Sequence, residues 1–340
     1  MSRENWKIHK FGGSSLADAT CFARVADIVL SMDRQRIGVV VSAMGGMTNQ
    51  LLHLSALAEQ DDDAVRDELD AIGKRYAETA RALLSGDALI RILDQWQVDA
   101  TDIGNILSAI RKVRSAPQRS RDIVAGYGEL WSARLLASYL EAKAGPGRGG
   151  TWVDARKVIT VRHSDLGPMV QWDVSRAAAQ REIPGDFEGI AVMTGFIAVD
   201  EGGLQTTLGR NGSDYSAAIF AALTGADELD IWTDVDGVMS ADPSRVPEAR
   251  IIHSLSYNEA MELAYFGAKV IHPQTLGPVI ANGIAVVIRN TFHPEHPGSR
   301  ISAVAAPDGG IKGITAIGGM ALVNLEGAGM IGVPGTADRL

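Results

Sequence analysis

The run Ile37-Gly-Val-Val-Val41 stops at Ser42-Ala43-Met44-Gly45-Gly46, and a β-branched stretch with no polar alternation calls for cover on both faces. It reads as an inner strand of a parallel sheet. Upstream, Trp6-Lys7-Ile8-His9-Lys10-Phe11 is a shorter strand broken at Gly12-Gly13, and Ser15-Leu16-Ala17-Asp18 has capping-box spacing, which predicts a helix beginning there. Phe22, Val25, Ala26 and Val29 then fall at i, i+3, i+4 and i+7, the stripe that packs a helix on a sheet. The opening of the chain is therefore a βαβ unit.

The same punctuation recurs downstream. After Gly126-Tyr-Gly-Glu129, the positions Leu130, Ala133, Leu136, Ala137 and Leu140 predict a helix that Glu129 opens and Gly145-Pro146 stops, with Gly147 to Gly150 as a loop. Strand-like Gly189-Ile-Ala-Val-Met193 runs into Thr194-Gly195-Phe196. Leu204 to Leu208 runs into Gly209-Arg-Asn-Gly-Ser-Asp214, after which Tyr215, Ala218, Ile219 and Ala222 mark a helix. Glu228 to Trp232 is a further strand, ending at Thr233-Asp-Val-Asp-Gly237, and Ser256-Tyr-Asn-Glu259 caps a helix expected to close at Gly267. Residues 48 to about 93 are helix-rich, with Asp61-Asp62-Asp63 as a solvated turn. There is no fixed-period repeat. Strands alternating with helices predict a three-layer α/β/α sandwich with a mainly parallel central sheet, whose ligands lie beyond the carboxyl ends of strands.

Composition narrows the partners. The 340 residues, 46% hydrophobic and 21% charged, suit one large folded domain with an appendage or about two domains. A formal charge of −9 argues against nucleic acid or an anionic membrane as the main partner, so an anionic ligand must meet a local positive site. Cys21 is the only cysteine, which excludes intrachain disulfides and cysteine metal clusters and fits a reducing compartment, with the cytoplasm as the expectation. No apolar run reaches the roughly 18 residues of a membrane span, and the first ten residues lack the apolar centre of a signal peptide.

Backbone N–H groups at helix N-termini make the glycine turns natural phosphate sites. Lys10-Phe-Gly-Gly-Ser-Ser15 matches neither the common phosphate loop nor the dinucleotide fingerprint, and alone it is equally a tight turn with a surface lysine. Arg210, Ser213 and Asp214 offer a guanidinium fork, a hydroxyl and an acid at a helix start. The plain alternative is that Ser213 caps the helix and Asp214 complements its dipole. Thr233 and Asp234 are placed to meet a nucleotide or its magnesium, although an Asp-Gly turn explains them as well. The calcium-loop order is absent, the seven histidines show no ligand spacing, and no nucleophile elbow occurs, so no metal-ligating residues are assigned.

Taken together and in order, six segments resemble aspartate kinases of the amino acid kinase family. They are Lys10-Phe-Gly-Gly-Ser-Ser15, Val41-Ser-Ala-Met-Gly-Gly-Met-Thr-Asn49, Gly126-Tyr-Gly-Glu129, Gly209-Arg-Asn-Gly-Ser-Asp-Tyr215, Trp232-Thr-Asp-Val-Asp-Gly237 and Phe266-Gly-Ala-Lys-Val-Ile-His-Pro273. The resemblance implies transfer of the γ-phosphoryl group of ATP, with Mg2+, to the β-carboxylate of L-aspartate, at the start of lysine, threonine and methionine biosynthesis. It also implies roles. Arg210 would take the α-carboxylate, Glu129 and Asp214 the ammonium, and Ser42 and Thr48 the β-carboxylate, with Ser213 beside them. Lys10, with Gly12 and Gly13, would serve the phosphates, and Thr233, Asp234, Met239 and Lys269 the nucleotide. Met239 stands where several members carry Tyr, and Ser244, followed by Arg245, where they carry Arg. Acetylglutamate, glutamate or a nucleoside monophosphate are the rival acceptors on this fold; the Lys10 turn and the Arg210 to Asp214 segment favour aspartate. A homodimer is an assembly open to such a chain.

By the same resemblance, residues 1–305 are expected to be the catalytic domain, and 306–340 the incomplete start of an ACT-like regulatory region. Strand is predicted at Ile314 to Ile317 and at Ala321 to Leu325, and Pro334-Gly-Thr336 reads as a helix start. The expectation is of the N-terminal portion of a longer protein, with homoserine dehydrogenase, diaminopimelate decarboxylase or nothing fused downstream as open alternatives, and these residues alone are expected to lack a complete site for lysine or threonine.

Overall fold

The computed structural model describes residues 6–145, 149–165, 167–265, 272–306 and 310–316. The expected βαβ unit is there: β1 (Lys7–Phe11), α1 (Ala19–Leu30) and β2 (Arg36–Val41), with β1 and β2 parallel and Lys10 level with Val40. Four helices follow, α2 (Met47–Gln60), α3 (Ala64–Leu83), α4 (Gly86–Val113) and α5 (Gln118–Ala144). Next come β3 (Gly150–Val153), β4 (Thr160–Ser164), β5 (Gly167–Val170), α6 (Trp172–Glu182), β6 (Gly189–Thr194), β7 (Ile197–Asp200) and β8 (Gln205–Thr207). The last elements are α7 (Gly212–Thr224), β9 (Glu228–Thr233), β10 (Ser254–Ser256), α8 (Tyr257–Tyr265), α9 (Pro273–Ala281), β11 (Ala285–Asn290) and β12 (Ser299–Ser302).

The main sheet runs β10-β12-β11-β9-β1-β2-β6-β3, parallel throughout except where β12 lies antiparallel to β11. Successive side chains feed opposite cores, as the two-residue strand period requires. Ile8, Val40, Met193 and Ile231 pack with Phe220 of α7 and Leu276 of α9. Phe11, Val39, Val41 and Val192 pack with Phe22 of α1, Leu51 of α2 and Leu136 of α5. The result is the three-layer α/β/α sandwich read from the sequence. Strand order reverses at β1, with β2 on one side and β9 on the other, and such a reversal opens a crevice at the carboxyl ends of the strands.

Four local expectations need correction. The first helix starts after a short 3-10 turn, Gly13–Leu16, and its cap is Asp18, which accepts a hydrogen bond from the Cys21 amide at 2.9 Å. Ser15 is instead buried against the Thr291 hydroxyl, 2.7 Å away. Glu129 does not open a helix, because α5 begins at Gln118 and Gly126 to Glu129 lie inside it. The strand read at Leu204 to Leu208 is β8, and it belongs to a second sheet, β5-β4-β7-β8, rather than to the main one. Gly150 opens β3 instead of closing a loop. The Ser256 to Glu259 capping box holds, with the Ser256 amide donating to the Glu259 carboxylate at 2.7 Å, while the expected stop at Gly267 lies outside the described residues. Residues 311–316 carry no strand, and most of the ACT-like segment, from 317 onward, lies outside the described residues.

Candidate functional site

The carboxyl ends of β1, β2 and β6 border a cavity of about 390 Å³ closed on its far side by the start of α7. Each wall follows from a local feature of the chain. Lys10 lies on the face of β1 that looks toward α7, and its Nζ sits 2.6 Å from Asp214 Oδ1 in the first turn of that helix. The two side chains are 11% and 18% exposed, so the pair is shielded from bulk water yet reachable from the cavity. Gly13 lines the cavity as well, and Gly12 lies beside the lysine, since a Cβ on it would stand 3.4 Å from Lys10 Nζ.

Beyond β2, the Ser42 amide still donates to the Phe11 carbonyl at 3.1 Å, and the chain then leaves the sheet through Ala43, Met44 and Gly46 into α2. Ser42, Thr48 and Asn49 therefore face one cavity from a loop and a helix start. Past β6, Gly195 and Phe196 cross under α7. A Cβ on Gly195 would stand 2.6 Å from the Val41 carbonyl oxygen, so a glycine is required there. Phe196 takes a φ of 67°, costly for a side chain without local polar compensation. Its amide is held by the Ser216 hydroxyl at 2.9 Å, and Phe196 lines the cavity.

Arg210, Ser213 and Asp214 arrive together. Asn211, at a φ of 56°, turns the chain into α7, leaving Arg210 exposed at the mouth and Ser213 buried within. Among the described residues Arg210 makes no ion pair.

Glu129 is the deep acid. It is 3% exposed, and its Oε2 has no hydrogen-bond partner among the described residues. Burial pushes its carboxyl up to about 8, opposed by hydrogen bonds from the Ala43 amide, its own amide and the Thr48 hydroxyl. With the Glu129 carboxyl held toward its neutral form, the formal charges of Lys10, Arg210 and Asp214 sum to one positive charge. That is the local positive site which the overall charge of −9 demanded.

Ser42, Thr48, Glu129, Arg210, Ser213, Asp214, Lys10 and Gly13 are therefore brought together as expected. Thr233, Asp234 and Met239 are not part of this cavity's lining; Thr233 ends β9 and Asp234 and Met239 follow it, next to β1, where the Gly12 amide reaches the Trp232 carbonyl at 3.4 Å. Lys269 lies outside the described residues. Sequence reasoning gave no role to Asn290, whose Nδ2 donates to Asp236 at 2.6 Å, or to His293, which meets the same carboxylate at 3.0 Å and helps draw its pKa down. Asp236 lay in a recognised motif, but the partners that tie its loop down are more than fifty positions away.

A parallel sandwich with a lysine–aspartate pair and a glycine turn at its switch point is the frame of this site, and the chain belongs to the amino acid kinase family, whose sequence model matches residues 5–290. Within that family it is similar to the chloroplastic bifunctional aspartokinase/homoserine dehydrogenase 1 of Zea mays, at 40% identity over 98% of this chain and 37% of the relative. The bifunctional aspartokinase/homoserine dehydrogenase of Haemophilus influenzae is 37% identical over 98% of this chain and 41% of its own length. The chain spans about two-fifths of the curated relatives it matches. Among solved structures, Escherichia coli aspartokinase III in complex with aspartate and ADP superimposes with a TM-score of 0.77 at 32% identity, covering 87% of this chain and 64% of that one.

Proposed function

We propose that this chain phosphorylates the β-carboxylate of L-aspartate with ATP, giving 4-phospho-L-aspartate and ADP. The observation that carries the reading is the single cavity in which Lys10 and Asp214 face Arg210, Glu129, Ser42 and Thr48. Aspartate presents two carboxylates and one ammonium, and the cavity offers a free guanidinium, two hydroxyl donors and two acids. The Arg210 fork suits the α-carboxylate bidentately. Glu129 and Asp214 suit the ammonium, whose arrival favours the ionised form of Glu129. Ser42 and Thr48 then direct the β-carboxylate toward the Lys10 side.

The acceptor oxygen has a reference pKa of about 4, so it is already ionised at neutral pH and no general base is needed. It attacks the γ-phosphorus as the bond to the bridging oxygen breaks, and the leaving electron pair stays on ADP. What remains for the protein is alignment and charge. Lys10 and the Gly12-Gly13 backbone supply positive potential where charge spreads over the transferring group. The end of β9 at Thr233, with Asp234 and Met239 beyond it, is adjacent to this point and suits the nucleotide.

Magnesium keeps several waters and is held mainly by the phosphates with one or two carboxylates. Asp214, within the cavity beside Lys10, could supply one. When bound, the ion neutralises phosphate charge. Residues 1–305 form the catalytic unit in this reading.

The deciding experiment traps the acyl phosphate with hydroxylamine. A hydroxamate that forms only with both ATP and aspartate supports the proposal. Hydroxamate with glutamate or acetylglutamate in place of aspartate, or ADP release that depends on a nucleoside monophosphate and not on aspartate, overturns the substrate assignment.

A further inference from the structure

We infer that Arg75, which lies outside the cavity, is the positioning residue for the loop that binds the acceptor. Its guanidinium leaves α3 and donates through Nη2 to the Gly45 carbonyl at 2.7 Å and the Ala17 carbonyl at 3.0 Å, and through Nη1 to Gln50 Oε1 at 3.1 Å. Those acceptors belong to three separate pieces of chain: the loop after β2, the segment between the Lys10 turn and α1, and the first turns of α2. One side chain thus ties together the two strand-end loops of the cavity.

The loop has need of such a tie. Between β2 and α2 it has no strand or helix ladder to hold it, it turns at Gly46 with a φ of 78°, and α2 has no side-chain cap. It also packs tightly on the Lys10 turn, for a Cβ on Gly45 would lie 3.1 Å from the Gly13 carbonyl oxygen. Ser42 and Thr48 sit at its two ends. The fork of a guanidinium can address divergent carbonyls in one plane, which an ammonium cannot do. Loss of the clamp lets the loop move by a fraction of an ångström or more, and misplacements on that scale are enough to cost up to about a hundredfold in reactions that depend on alignment.

What the loop binds rests on the aspartate kinase reading; the clamp itself rests on the geometry. The test therefore has two arms. In the first, amide hydrogen exchange over residues 42–49 is followed in the substrate-free protein. Arg75→Met is expected to speed it by about tenfold or more, with the central strands unchanged. In the second, steady-state kinetics are expected to show an aspartate KM raised about tenfold or more with the ATP KM within about twofold, Arg75→Lys falling between, and partial rescue of Arg75→Met by free guanidinium ion.

Unchanged exchange over 42–49 overturns the clamp whether or not the protein proves to be an aspartate kinase. An equal rise in both KM values, accompanied by faster exchange throughout and no rescue, also overturns it, because that pattern belongs to general destabilisation. Wild-type protein without aspartate-dependent hydroxamate sinks the functional reading and leaves the exchange arm to decide the clamp. Should Arg75→Met fail to fold, Arg75→Lys carries the same measurements, and wild-type values in both arms overturn the inference.

Discussion

Lys10 and Asp214 lie 2.6 Å apart with little water around them, and they meet only because a β1 side chain and a first-turn α7 side chain point at each other across the strand ends. Lys10→Ala removes positive potential from the reacting centre without opening the core, and Asp214 keeps some access to water. Turnover is expected to fall by about a hundredfold or more with an unchanged circular dichroism spectrum; near-normal turnover in a folded variant refutes the role. Arg210, exposed and without an ion pair among the described residues, is a different case. Arg210→Ala should raise the aspartate KM by about tenfold or more and leave the ATP KM nearly unchanged, since a bidentate carboxylate contact is lost from one substrate only. Initial-rate measurements with each substrate varied in turn check this, and an equal rise for both contradicts it.

Glu129 makes a thermodynamic prediction. Its folded-state value is about 8 against an ordinary 4.5, so the native state holds this proton to higher pH than the unfolded chain does. The sign follows directly. Below the ordinary value both states are protonated and nothing is lost; between the two values stability declines as pH rises; above the folded value the penalty is complete. Glu129→Gln has no proton to lose, so the gap between wild-type and variant Tm should move in the variant's favour as pH rises from about 5 to about 9. A gap independent of pH shows that Glu129 is not buried in its acid form.

At the scale of elements, α5 shows what glycine can conceal. Gly126 and Gly128 resemble the turn glycines of the strand ends, which is why Glu129 reads from sequence as the first residue of a helix. In the fold they serve close packing: a Cβ on Gly128 would lie 2.9 Å from Ala43 Cβ, and one on Gly126 would lie 2.4 Å from Gln205 Nε2. The absent side chains let α5 press against β7 and β8 at Gly126 and against the loop after β2 at Gly128, carrying Glu129 to the cavity floor. Gly104, inside α4, has nothing within 4 Å of its Cβ position. Ala at either site gains about 1 kcal/mol in helix propensity. At Gly128 overpacking costs about 1–3 kcal/mol and outweighs that gain. Gly104→Ala should therefore raise stability by up to about 1 kcal/mol and Gly128→Ala lower it, as denaturant midpoints will show. The same sign at both positions rules out this account of α5.

Over the whole molecule, what was legible in the sequence was what is local. The apolar runs of β1, β2, β6 and β9 and the stripe of α1 announced a parallel sandwich because period and punctuation lie within a few residues of each other. The strand at 205–207 was legible as a strand, but its place in the second sheet depends on pairing with β7 and is written in no short window. The cavity was legible as a set of residues through family resemblance, and Ser42, Thr48, Arg210, Ser213 and Asp214 do converge. The burial of Glu129, the clamp of Arg75 on Gly45 and the anchoring of Asp236 by Asn290 were not. Each depends on distance in space between segments far apart in the chain.

The central position of β1 also orders events in time. Its outer neighbours are β2, close by in sequence, and β9, whose Trp232 donates to His9 across 223 positions, while Ser15 in the turn after β1 finds its hydroxyl partner in Thr291 across 276. During synthesis the strand that bears Lys10 leaves the ribosome well before β9 and waits, with one edge open, until β9 follows. An open edge is a sticky edge, and closing so long a loop is slow. The lysine is among the first of the site's residues to be made, yet its strand is flanked on both sides only when β9, the fifth of the eight main-sheet strands in chain order, arrives. Chaperone demand should thus concentrate on the interval between them.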